Sequence, residues 1–202
     1  TEHTTVIKMD PHLFLKLGEK YSKKDLAELL EQPNIVSVRE GIFNCKNSAS
    51  ALFFVDLEKQ GKDDRLHYDD FFEEDFFHWD SQTPQHIDSP KIREIINNEL
   101  TPHLFVRLTQ KVRNVTQPFV YCGKLKYSTY EEGTSKPVHI IFQNIDYDYF
   151  TENPDLIDIY LWKPEKIGKE TKSVITKKGE ISGHSFNDLF FIALFCLFWR
   201  WT

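Results

Sequence analysis

Phe76-Phe77-His78-Trp79-Asp80-Ser81-Gln82 is the stretch on which the reading of this chain turns. It follows the most acidic part of the sequence and ends in a polar pair ahead of Thr83-Pro84, where proline biases its predecessor away from helix. Large aromatics followed at once by Ser and Gln fit a core strand leaving a barrel. They fit equally an aromatic floor beside a hydrogen-bonding rim, which is what a pocket for a flat polar ligand needs.

On the N-terminal side, His12–Leu17 reads as a short strand ended by Gly18. Ser22-Lys23-Lys24-Asp25 then predicts a helix start, with Ser22 as N-cap and Asp25 completing a capping box. Leu26, Leu29 and Leu30 share one face of that helix, which stops near Pro33. Period-two patterning predicts strands over 35–39 and 51–57, joined by the turn-rich Asn44–Ser48.

On the C-terminal side, Ser89-Pro90 predicts a helix start, followed by strands over 104–108, 117–127 and 138–142. Gly123 is a bulge candidate, and Leu156–Trp162 reads as a last strand. About seven short strands with two clear helices predict an α+β fold built on a curved sheet or small barrel. Leu189–Trp199 is an apolar run of eleven residues, too short to span a bilayer as a helix, which takes about 20.

The 202 residues suit one domain of ordinary size, and a 40% hydrophobic share allows a real core. With Thr1 in first place instead of Met, the chain reads as a piece of a longer protein, so any catalytic domain can lie outside it. Cys45, Cys122 and Cys196 form no CxxC or Cys/His cluster, so neither a zinc site nor a disulfide framework is expected, and the natural home is a reducing, intracellular one.

Net charge is −6, but it is unevenly spread. Residues 61–80 hold eight acids against Lys62 and Arg65, whereas residues 101–130 hold Arg107, Lys111, Arg113, Lys124 and Lys126 with no acid. Residues 161–180 add six lysines against three glutamates. An acidic protein can still present a basic face.

Motifs for chemistry are missing. Asp56-Leu57-Glu58-Lys59 tempts a metal-nuclease reading, but that chemistry wants an acid, one spacer and then lysine, and the spacing is wrong. His67, His78, His86 and His103 show no HExxH or helical i, i+4 spacing, and there is no GxSxG, P-loop or GxGxxG. The fragment is therefore read as a binding module without a reaction, cofactor or metal. Aromatics beside polar or basic groups, as in Trp79-Asp80-Ser81-Gln82 and Lys124-Leu125-Lys126-Tyr127, make nucleic acid the leading ligand class.

The succession LGEKYSKKDLAELL, LFFVDLEK, YDDFFEEDFFHWDSQ, SPKIREII, LFVRLTQK and PFVYCGKLKY resembles the C-terminal domain of modification-dependent (type IV) restriction enzymes of the SauUSI type, over about Leu13–Trp162. In that family a phospholipase-D-like nuclease and a helicase precede the domain. The resemblance implies an SRA/PUA-like fold, a curved β-barrel of about seven strands with flanking helices, that reads 5-methylcytosine or 5-hydroxymethylcytosine in duplex DNA by base flipping. The domain organisation expected is a linker end over the polar residues 1–11, the recognition domain over 12–183 and an apolar tail over 184–202 that lies outside the resemblance. The resemblance further implies a bacterial cytoplasmic home and, as partners, modified DNA and the parent's own helicase and nuclease domains, with no membrane.

Mapped onto this chain, Trp79 with Tyr68 or Tyr121 are the stacking aromatics, Asp80, Ser81 and Gln82 the readers of the base edge, and Arg107, Lys124 and Lys126 the phosphate contacts. Each has a plain structural alternative: Trp79 as core anchor, Asp80 as a turn cap, Arg107 paired with a buried acid. Phe76 and Phe77 are expected to anchor, with Asp80–Gln82 facing the ligand. Two rival readings stand beside this one: a protein-interaction or structural domain docking the helicase-nuclease, and a stand-alone metal-dependent nuclease using Asp56 and Glu58.

Overall fold

The strong capping box sets the first helix. In the structure, a computed structural model that describes residues 10–39, 41–46, 48–58, 70–82 and 84–164, Ser22 Oγ accepts from the Asp25 N–H at 3.1 Å and Asp25 Oδ2 accepts from the Ser22 N–H at 2.7 Å. Helix α1 (Lys23–Leu29) follows. It buries Leu26, Ala27 and Leu30, while Leu29, expected on the same face, is exposed.

Among the described residues the architecture is α+β: a sheet of eight strands with three α-helices. The strands are β1 (Lys20–Tyr21), β2 (Ile42–Asn44), β3 (Ser50–Asp56), β4 (Phe71–Glu73), β5 (Phe76–Asp80), β6 (Thr101–Arg107), β9 (Phe119–Tyr130) and β10 (His139–Asn144). A separate hairpin pairs β7 (Lys111–Val112) with β8 (Val115–Thr116). The order across the sheet is β2-β3-β6-β9-β10-β5-β4, with β1 added along β9. Neighbours are antiparallel except β3 and β6, which run parallel with Asp56 opposite Arg107. Among the described residues β2 and β4, at the two ends, do not pair, so the sheet is open and is not a closed barrel.

It is nevertheless curled. Phe53 on β3 meets Trp79 on β5 with ring centroids 5.0 Å apart, and Phe142 on β10 at 5.9 Å. Four strand spacings separate β3 from β5 in the order, roughly 19 Å if the sheet were flat. The curl turns one face inward, where Phe53, Val55, Leu104, Val106, Val120, Cys122, Phe77, Trp79 and Phe142 form one core. Helix α2 (Pro90–Ile96) adds Ile92 and Ile95 to it, and α3 (Pro154–Leu161) adds Leu156, Ile159 and Tyr160. On the other face of β3, β6 and β9, α1 packs over Leu52, Phe54, Phe105, Phe119 and Tyr121.

Gly123 takes the bulge the sequence suggests: the β6–β9 register shifts beside it and its φ is +97°. An added Cβ would lie 2.6 Å from Asp146 Cβ, so this position needs glycine twice over.

Three expectations are corrected. Residues 12–17 are not a strand; Asp10 accepts from the His12 N–H and caps a 3-10 turn over Pro11–Leu13. Residues 35–39 are not a strand either, because Pro33 opens a second 3-10 turn, Pro33–Ser37, that buries Ile35. Leu156–Trp162 is helix α3: Asn153 Oδ1 accepts from the Asp155 and Leu156 N–H groups, and Pro154 sits at the first helical position. Among the described residues no helix is long and apolar enough to cross a membrane. The run Leu189–Trp199 and Cys196 lie outside the described residues.

Candidate functional site

A sheet that curls without closing leaves a gap between its margins. A cleft of about 540 Å³ occupies it, lined by Gly41 and Ile42 from the β2 margin, Phe54–Asp56 from β3, and Asp70, Trp79, Asp80 and Gln82 from the β4–β5 margin. Lys23, Arg39, Arg107, Gln110 and Phe119 complete the wall. Of the residues expected at a pocket, Trp79, Asp80 and Gln82 line this cleft.

Period-two alternation distributes the opening stretch. Phe77, Trp79 and Ser81 point inward and are buried, while Phe76, His78, Asp80 and Gln82 point the other way. Trp79 is 6% exposed and packs on Phe53 and Phe142. It is a core anchor whose remaining surface reaches the cleft. Phe77 anchors as expected, but Phe76 does not, being more than a third exposed. Ser81 is fully buried: its Oγ accepts from the Val138 N–H at 2.9 Å, tying β5 to the entry of β10. It does not face a ligand.

Asp80 sits at the end of β5, where its N–H donates to Asp70 Oδ1 at 3.0 Å and its own Oδ1 accepts from His139 Nδ1 at 2.6 Å. The Gln82 N–H donates to Gln85 Oε1, which fixes the backbone as it turns out of the strand. Carboxylate and amide therefore stand beside Trp79 on a backbone held at several points.

Arg107 reaches the cleft, but paired. Its Nε donates to Asp56 Oδ1 at 2.5 Å, its Nη1 donates to the Gln117 carbonyl at 2.9 Å, and its guanidinium lies 4.1 Å from the Phe119 ring centroid. That engages Asp56, the acid of the nuclease rival, while Glu58 lies exposed beyond the end of β3. Lys23 Nζ donates to the Val38 carbonyl at 2.7 Å and sits 4.9 Å from the Phe54 ring centroid. Burial and the nearby Arg107 cation hold its pKa below the usual lysine range. Arg39 is exposed on the cleft wall.

Other expected site residues lie elsewhere. Tyr121 belongs to the core under α1, where its hydroxyl and His103 Nδ1 are 2.9 Å apart, and it does not line the cleft. Lys124 lines a different recess, with Asp10, Ser50 and Thr101, and its N–H donates to Asp146 Oδ2. Lys126 is exposed further along β9. From Phe119 to Lys126 the strand runs roughly 20 Å, so these two lysines are not cleft residues. Tyr68 lies outside the described residues.

Sequence reasoning missed Lys23, Arg39, Asp70 and Phe119 as cleft residues. Asp70 was visible only as one of many acids, and Phe119 only as a strand aromatic. Among the described residues no three His, Cys, Asp or Glu side chains are grouped to hold a metal. Cys45 is buried, which pushes its thiol up to about 11, and burial pushes the Cys122 thiol up as well, so neither is poised as a nucleophile.

The arrangement suits binding: aromatic walls from Trp79, Phe54 and Phe119, polar groups from Asp80 and Gln82, and cations on one side. Residues 15–150 match the model of a family described as Domain of unknown function (DUF3427). No curated protein matches the chain. The chain belongs to the DUF3427 family.

Proposed function

We propose that this member of the DUF3427 family is a DNA-binding specificity module that takes a flipped 5-methylcytosine or 5-hydroxymethylcytosine into the cleft between the margins of its curled sheet. One observation carries the reading: Trp79, Asp80 and Gln82 meet Phe119 and the cations Lys23 and Arg39 around a space of about 540 Å³. That space is large enough for a base with its sugar and phosphate. The carboxylate of Asp80 would accept from the cytosine N4 amino group, and Gln82 would complete the edge reading. The apolar wall would favour the 5-substituent by about 1–3 kcal/mol.

On this reading the open, curled sheet is a variant of the SRA-like barrel, and the module carries no reaction of its own. It would recruit the helicase and nuclease domains of a parent chain in a bacterial cytoplasm. Flipping costs a few kcal/mol, so phosphate contacts must supply much of the affinity. Arg39 at the cleft and Lys124 and Lys126 along β9 are the cations for that role.

Gel-shift titration of paired duplexes, one carrying a single modified cytosine and one not, tests the reading. Preference for the modified duplex is expected, and Gln82→Ala should reduce it about tenfold. Equal binding to both duplexes would overturn the modified-base reading.

A second reading rests on a different observation. Ile145, Tyr149 and Phe150 expose apolar surface between β10 and α3, with Phe150 93% exposed, which fits a protein-docking role. No binding to any nucleic acid at low salt would favour it.

A further inference from the structure

The face of β4, β5 and β10 that points away from the core carries a line of titratable side chains. In the β5–β10 register His139 stands opposite Asp80 and Ile141 opposite His78, so the two histidines are diagonal neighbours on one face. His139 Nδ1 is 2.6 Å from Asp80 Oδ1, and His139 Nε2 is 3.0 Å from His78 Nδ1. His78 Nε2 is 3.3 Å from Glu73 Oε2. The line starts at the cleft with Asp80 and ends in solvent with Glu73, whose side chain is 71% exposed.

Counting hydrogens decides the protonation state of this line. Its three contacts each need one hydrogen, and ionised carboxylates bring none. Two neutral imidazoles bring one N–H each, or two in all. The line is complete only when the pair binds one further proton. A second would turn both facing nitrogens, His139 Nε2 and His78 Nδ1, into donors. Whichever ring carries it, one of the two facing nitrogens donates and the other accepts; on His139 the proton makes an imidazolium that donates to both Asp80 and His78, while His78 donates from Nε2 to Glu73.

We propose that His139 and His78 are positioning residues for Asp80, sharing one extra proton that sets the orientation and local charge of that carboxylate as the cleft takes its ligand. The proposal rests on the DNA-reading function above and deepens it. The surroundings agree with the placement of the proton. The hydrogen bond to Asp80, with Asp80, Glu131 and Asp70 as nearby negative charges, outweighs burial and holds His139 above the usual histidine range. Burial first, then the charge on His139 and on Lys163, hold His78 below that range against the pull of Glu73. Phe71 stacks on His78 at 4.4 Å with the rings 6° from parallel, and Lys163 Nζ lies 5.4 Å from the Phe71 centroid, so His78 has a fixed plane.

Loss of the proton removes the positive charge beside Asp80 and breaks one contact of the line. Both changes disfavour a phosphate-bearing ligand in a cleft that also holds Asp70 and Asp56. Affinity is therefore highest with the pair protonated and falls as pH rises through the raised value of His139.

The first test needs no ligand. Nitrogen-15 NMR of the full chain, labelled at histidine, follows both rings through a pH series. His139 should remain charged to higher pH than free histidine, with His78 in its neutral Nε2–H form, and Asp80→Asn should lower the His139 midpoint. Two rings titrating independently at the ordinary value of about 6.5 would overturn the proposal. The second test measures binding of a duplex with one 5-methylcytosine from about pH 6 to about pH 8, bracketing that value. The wild-type chain should lose affinity about tenfold across the range. His139→Gln, which keeps an amide donor for Asp80 but cannot titrate, should give a flat profile; a flat wild-type profile would also overturn the proposal. If no duplex binds at any pH while the rings titrate as described, the positioning pair stands and the DNA reading falls.

Discussion

Trp79 shows how one residue serves two ends. Its ring lies within the core against Phe53 and Phe142, so removing it opens a cavity before it touches any ligand. Trp79→Ala should cost about 3–5 kcal/mol in urea denaturation, and Trp79→Phe clearly less, because part of the ring volume is kept. Gln82 is the contrasting case. Its side chain is half-buried at the strand end and outside the core, so Gln82→Ala should cost clearly less stability than Trp79→Ala while reducing preference for the modified base. The Arg107–Asp56 pair is a third kind of cleft residue, one whose first role is internal. Both side chains are largely buried, at 9% and 20% exposure. Asp56→Ala would strand the guanidinium and should cost about 3–5 kcal/mol. That loss, read by denaturation, separates a structural Asp56 from the catalytic Asp56 of the nuclease rival.

At the scale of elements, α3 is the instructive one. Leu156, Ile159 and Tyr160 are spaced three and four apart, a helical stripe that a largely apolar seven-residue stretch can hide as a strand. The decisive signal is Asn153-Pro154-Asp155, an N-cap, a first-turn proline and a first-turn acid. Asn153 does more than cap, because its Nδ2 donates to the Gly18 carbonyl at 3.2 Å and so docks the helix on the segment before β1. Asn153→Ala should therefore cost about 1–2 kcal/mol, at the upper end for a cap, measured by thermal or urea unfolding. Gly18 is the other half of that contact, with φ of +79° and an added Cβ 2.6 Å from Asn153 Nδ2. Strand β9 works differently: its bulge at Gly123 lets one twelve-residue strand pair with β1 and β6 on its first half and β10 on its second.

At the scale of the whole molecule, two histidines oppose each other in pH dependence. His103 is fully buried, its Nε2 has no hydrogen-bond partner among the described residues, and burial lowers its pKa to about 4. The unfolded chain binds that proton more readily than the folded one. Stability is therefore full above the ordinary histidine value of about 6.5 and falls by about 3 kcal/mol as pH drops to about 4. His139 has a raised value, so its contribution is present below about 6.5 and lost as pH rises through that raised value. Urea midpoints across a pH series should show a fall on both sides. His103→Phe should shrink the acid-side fall and leave the alkaline side unchanged, the remaining acid-side loss coming from His78, whose pKa burial also lowers.

What the sequence determined by itself was local: the Ser22 capping box, the proline-led start of α2, the strands β3, β6, β9 and β10, and the glycine bulge in β9. Each depends on a few neighbouring residues whose backbone preferences and side-chain hydrogen bonds act over one turn or one strand. The α+β class followed from summing them. Tertiary structure alone decided the parallel pairing of β3 with β6, the curl that stops short of closure, and the cleft left in the gap. It also decided that Tyr121 and Ser81 are internal, and that His78 and His139 line up behind Asp80. These are long-range outcomes, because a strand's pattern says which residues alternate but not which face is covered or which strand lies beside it. Burial against α1 and the facing rings of Phe53 and Trp79 settled those choices, through contacts between residues far apart in the chain.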